Sequence, residues 1–61
     1  MSPILKYFKY QHLPENLQKV SQPFCDLAEF VDRDYKDSPE KSAGLRKLLE
    51  AKDCIVRAAL E

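Results

Sequence analysis

Residues 6–12, KYFKYQH, interleave Tyr7, Phe8 and Tyr10 with Lys6 and Lys9 and end on His12. Aromatic faces beside ammonium groups suit a ligand built of flat bases and phosphates. A base stacked on a ring contributes about 1–3 kcal/mol, and the cations meet the phosphates. The same residues suit a plainer role, an apolar lid over the open end of a helical hairpin, and the spacing alone does not choose between them. Further along, Lys19, Lys52 and Arg57 add charge that an anionic ligand would use, and a guanidinium such as that of Arg57 binds phosphate in a bidentate manner. Each has an ordinary alternative: Lys52 as a packed stem with its ammonium in water, Arg57 as the partner of Asp53, His12 as a helix-start hydrogen-bonding group.

Catalysis is not expected. One histidine supplies no set of nucleophile, base and orienting group, and a chain whose single glycine is Gly44 has no glycine-rich phosphate loop. Two cysteines and one histidine are too few for a structural metal site, and no cofactor is implied.

The elements that must position these residues are two helices. Leu17, Val20, Phe24, Leu27 and Val31 step by three and four, the stripe of a helix packed on a neighbour. Pro14 and Glu15 suit its start, and Pro23 predicts a kink or break within it, with Ser21 placed to cap a restarted helix. A second helix begins at Ser38 as N-cap, Pro39 and Glu40. Leu45, Leu48, Leu49, Ile55, Val56 and Ala59 form its main stripe, and Ala43, Ala51, Cys54 and Ala58 a second edge of small residues. Arg46–Glu50 and Asp53–Arg57 are sign-matched pairs on its polar side. The expected fold is therefore all-α: an antiparallel two-helix hairpin with an N-terminal aromatic–basic segment (1–13), a first helix (14–35) and a second helix (38–60). Aligning the stripes sets Val31 near Leu45, Leu27 near Leu49, Phe24 near Lys52, Val20 near Val56 and Leu17 near Ala59.

A chain of 61 residues buries only about 60% of its unfolded surface and needs a staple. In this register Cys25 and Cys54 are offset along the axis and start from different faces, so two reduced, buried thiols are expected and self-association is left as the staple. Ten Lys/Arg against ten Asp/Glu give no net charge, which argues against binding long nucleic acid. The distribution is uneven: residues 13–40 carry three bases against seven acids, and residues 41–61 five bases against three acids. The turn end is thus acidic, and the open end collects Lys6, Lys9, His12, Lys19, Lys52 and Arg57. No apolar run reaches membrane-spanning length and MSPILKYF has no signal-peptide core, so a soluble cytoplasmic protein is expected.

The stretches KYQHLPENLQKVSQPFCDLAEFV and EKSAGLRKLLEAKDCIVRAAL resemble the phage anti-CBASS cyclic-nucleotide sponge family, whose helical hairpin also occurs as a domain in phage anti-Thoeris sponges. The resemblance covers about residues 8–60 and rests on the order of its pieces, a tyrosine and HLP followed by LRKLLEAKD and VRA. It implies a non-catalytic homo-oligomer, with a hexamer as a candidate assembly, acting in the cytoplasm of an infected bacterial host. Its partners would be cyclic di- or trinucleotides such as cyclic GMP–AMP, sequestered without cleavage so that CBASS immunity is blocked. Tyr10 matches the family's base-stacking tyrosine and Arg57 its second-helix arginine. The family's first-helix lysine has no counterpart in SQPFCD, which leaves Lys9, Lys19 or Lys52 to supply that charge. The candidate ligand-binding set is Phe8, Lys9, Tyr10, His12, Lys19, Lys52 and Arg57. The alternative is a helical-hairpin module for protein–protein interaction or oligomerisation.

Overall fold

A computed structural model describes residues 2–61; Met1, the first residue of the expected N-terminal segment, lies outside them. Three helices follow one another: a 3₁₀ helix η1 (Pro3–Phe8), α1 (Glu15–Asp34) and α2 (Pro39–Ala59). The two long helices pack against each other as the expected hairpin, and their bounds lie within a residue of the expected ones. Ser38 caps α2 with its hydroxyl accepting from the Lys41 amide at 3.0 Å, and Pro39 occupies the first turn, where its missing N–H costs nothing.

Two expectations for α1 change. Of the kink or break expected at Pro23, the break is absent: the helix runs continuously from Glu15 to Asp34 with Pro23 inside it. Proline deprives the Lys19 carbonyl of its helical donor, but Lys19 and Pro23 are both exposed residues, so the loss falls on the solvent side of the helix, where it costs less. Ser21 caps no restarted helix: it is fully buried, and its hydroxyl has no partner among the described residues.

The N-terminal segment is not a lid on the open end. It forms η1, a third element touching both long helices and running along the hairpin. Ser2 lies at the last turn of α1, where its amide donates to Asp32 Oδ1 at 3.1 Å and its hydroxyl donates to the same oxygen. Phe8 then reaches the middle of the hairpin, and the chain turns at Gln11–Leu13 before α1 begins.

This third element rotates the buried face of α1. Ser21, Cys25 and Ala28 are its buried residues, stepping by four and three, whereas Leu27 from the expected stripe is 48% exposed. The reason is steric. Small side chains at 25 and 28 leave room for the Phe8 ring, which is 0% exposed and forms the core with Cys25, Ala28 and Leu45. Ile4, Leu5, Tyr10, Phe24, Val31, Leu48 and Leu49 pack around that cluster.

The turn end is less acidic than its composition suggests, because Lys41 reaches into it. Its ammonium donates to the carbonyls of Asp32 (3.0 Å) and Tyr35 (2.7 Å) and to Asp37 Oδ1 (2.9 Å), and lies 3.5 Å from Asp32 Oδ1. A cation on the last carbonyls of a helix satisfies orphan acceptors and opposes the negative end of the dipole. Asp32 is held below the usual carboxylate range, first by the Ser2 hydroxyl and further by the Ser2 amide and Lys41; Lys41 is raised, chiefly by Asp37.

Replacing Phe8 by Ala is expected to cost about 3–5 kcal/mol. That is comparable to the whole stability of a domain this size, roughly 3–9 kcal/mol at 0.05–0.15 kcal/mol per residue. Cooperative thermal unfolding followed by circular dichroism should therefore be lost, while Tyr7→Ala, at an exposed ring, should change stability by no more than about 0.5 kcal/mol. The Asp32 interactions contribute stability above the ordinary carboxylate value of about 3.9, lost as pH falls through its lowered folded value. Denaturant unfolding between about pH 4.5 and 2 should fall less steeply for Asp32→Asn than for the parent; identical slopes would contradict the assignment.

Candidate functional site

The residues singled out in the sequence separate into a structural pair and an exposed set. Phe8 belongs to the core, and a fully enclosed ring has no face to offer a base, so its expected ligand role is withdrawn. Lys52 is the companion of that ring. Its ammonium donates to the Tyr7 carbonyl at 2.7 Å, lies 6.0 Å from the Phe8 centroid and 3.5 Å from Asp53 Oδ1, with its side chain 11% exposed. Lys52 thus ties η1 to α2 across 45 residues of sequence, and its ammonium is already occupied by protein acceptors.

The others remain open. Lys9, His12, Lys19 and Arg57 are exposed, and Tyr10 is half-buried against the core. None of these cations forms an ion pair with a carboxylate among the described residues. The Asp53–Arg57 pair expected from the sequence is not made, because Asp53 lies beside Lys52; Arg57 instead donates to Cys54 Sγ at 3.5 Å. The Arg46–Glu50 pair is likewise absent among the described residues. His12 makes no helix-start hydrogen bond either. Gln18 does that work, its amide donating to the carbonyls of Leu13 at 2.8 Å and Gln11 at 3.4 Å. Lys19 near the start of α1 and Arg57 near the end of α2 share the open end of the hairpin with the turn that carries Tyr10 and His12.

Sequence reasoning missed a groove of about 410 Å³ between η1 and α1. Pro3 and Leu5 give it apolar walls, Lys6 and Lys9 come from the η1 side, Gln11 from the turn, and Cys25 and Glu29 from α1. Of the residues singled out for ligand binding, only Lys9 lines it. The i,i+4 pair Cys25–Glu29 was the available signal, but it gains meaning only once η1 is known to run alongside α1. Burial raises the Cys25 thiol, and the negative charges of Glu29 and Asp26 add to that, against a smaller opposing effect of Lys52. A side-chain hydrogen bond with Glu29 adds to the same direction, so the thiolate is disfavoured and Cys25 lines the groove as a neutral thiol.

Both cysteines are free, as expected, but only Cys25 is buried; Cys54 is exposed, correcting the expectation of two buried thiols. Among the described residues no group of three or more His, Cys, Asp and Glu could hold a metal ion, and no helix is long and apolar enough to cross a membrane. Comparison with protein families, characterised proteins and solved structures finds no match to this chain.

Proposed function

We propose that this protein binds and sequesters cyclic oligonucleotide second messengers, such as cyclic GMP–AMP, without cleaving them, and so blocks CBASS immunity in the cytoplasm of an infected bacterium. The observation that carries the reading is a set of unpaired cations toward the open end: Lys9, His12, Lys19 and Arg57 are exposed and have no carboxylate partner among the described residues. A net-neutral protein that leaves those cations unpaired and the Tyr10 ring incompletely enclosed is suited to a small ligand with bases and phosphates. The order of the tyrosine, HLP and second-helix pieces, similar to that of the phage sponge family, supplies the identity of the ligand.

Self-association belongs to the same proposal. Ala43, Gly44, Ala51, Cys54 and Ala58 of α2 are all exposed, and a Cβ built on Gly44 would meet nothing within 4 Å. The helix therefore bears the roughly 1 kcal/mol propensity cost of an interior glycine with no compensating contact inside one chain. A second copy packed on this edge would supply one. A cyclic dinucleotide is close to two-fold symmetric, and a two-fold interface presents each Tyr10 and each Arg57 twice, so one ligand between two copies would stack both bases and meet both phosphates.

One observation favours a second reading, a module for binding another protein. Leu27, Phe30, Tyr35, Ile55 and Leu60 are large apolar side chains at least 41% exposed, more than a lone hairpin needs.

Tyr10→Ala separates the two. On the sequestration reading it lowers affinity for cyclic GMP–AMP by at least about tenfold, the weight of one base stack, and leaves the oligomer seen by sedimentation unchanged. Ligand released from the parent protein by denaturation should also be recovered chemically intact by chromatography. Unchanged binding, or recovery of linear products, would contradict the proposal.

A further inference from the structure

We propose that the groove between η1 and α1 is a guanine-nucleotide subsite in which Glu29 reads the base and Lys6 and Lys9 hold the phosphate. The inference rests on the sequestration reading for the class of its ligand and adds to it a preference among bases: shared by two copies, a cyclic dinucleotide would set a guanine in each groove, so cyclic di-GMP is favoured over cyclic GMP–AMP.

The charges lining the groove are sorted by element: Lys6 and Lys9 come from the η1 strip, Glu29 from α1. Neither lysine is ion-paired, and Glu29 has no cation partner among the described residues. The Lys6 ammonium lies 5.1 Å from the Tyr7 ring centroid, an exposed contact that leaves its hydrogen-bond donors free. A ligand with anionic oxygens at one end and paired N–H donors at the other would satisfy both sides. A volume of about 410 Å³ falls low in the range of small-molecule sites, about 300–1,000 Å³, and suits one nucleotide, with the rest of a cyclic dinucleotide on the open side.

The polar groups select among bases. An ionised carboxylate only accepts hydrogen bonds, and guanine sets two donors, N1–H and the N2 amino group, side by side on one edge with the O6 acceptor next to them. Gln11 matches that third atom. Its Oε1 accepts from the Tyr10 amide at 3.3 Å, which leaves the Nε2 hydrogens to donate to O6. Adenine presents an acceptor, N1, where guanine has N–H, and would set two acceptors face to face against Glu29. Pro3 and Leu5 offer apolar walls for a flat ring, and the neutral Cys25 thiol adds no charge to the floor.

The test is isothermal titration of the full chain with cyclic di-GMP, cyclic di-AMP and GMP, for the parent, Glu29→Gln and the Lys6→Ala/Lys9→Ala double variant. All three side chains are exposed, so the variants should melt as the parent does. The expected result is at least about tenfold tighter binding of cyclic di-GMP than of cyclic di-AMP, a preference that Glu29→Gln removes, and weaker binding of both by the double variant. Equal affinities in the parent, or a preference that survives Glu29→Gln, would overturn the subsite and leave sequestration standing. GMP binding that depends on Glu29, without binding of either cyclic dinucleotide or of 3′,3′-cyclic GMP–AMP titrated alongside them, would support the subsite and contradict sequestration. No binding of any of these ligands would overturn both.

Discussion

Placement of the Phe8 ring governs the rest of the molecule. Two long helices of this size leave one long side of their shared seam open, and a single aromatic inserted there joins α1, α2 and η1 in one core with Cys25, Ala28 and Leu45. Its enclosure requires small residues on α1, which decides which face of that helix turns inward. It also requires the backbone beside it to be held. Lys52 does so at Tyr7, and the Ser2–Asp32 contact holds the far end of η1. At the turn, Lys41 joins the end of α1 to the start of α2 while lying against Asp32, so one cluster of polar groups fastens the ends of all three elements. Such a cluster is stabilising only because nearly every polar atom in it is satisfied.

The long helices were legible in the sequence because their signals are local. Ser38–Pro39–Glu40 specifies a helix start by capping, first-turn geometry and dipole alone, and the structure uses it as expected. The buried face of α1 was not legible. Periodicity ranks Leu27 above Ser21 and Ala28 because it counts apolar residues, whereas the packing selects for space around Phe8. A partner twenty residues distant made the small side chains the inward ones. For a related reason Pro23 does not end α1: the helix continues through it with the lost hydrogen bond on an exposed face, where the loss costs less. The residues proposed for ligand binding divide along the same line. Those with local context only (Lys9, His12, Lys19, Arg57) remain exposed, while Phe8 and Lys52 proved to be each other's tertiary partners.

What the fold does not use is then informative. Lys41 and Lys52 complete the structure; of the other lysines and arginines, Lys6 and Lys9 line the groove between η1 and α1, Lys19 and Arg57 lie toward the open end, and Arg33, Lys36, Arg46 and Lys47 lie toward the turn. Most of the exposed large apolar residues lie on α1, on the turn after it and on α2, with Tyr7 on η1, and a second copy could cover some of them. With one ligand shared between two copies, oligomerisation and ligand binding would be one requirement.

Whether two copies share one cyclic dinucleotide is read most directly by a titration of the purified protein with 3′,3′-cyclic GMP–AMP that gives stoichiometry, with oligomeric mass measured on the same sample. Tight, saturable binding with one ligand for every two chains is expected. One ligand per chain would contradict the shared site, and no binding to an intact oligomer would contradict sequestration itself.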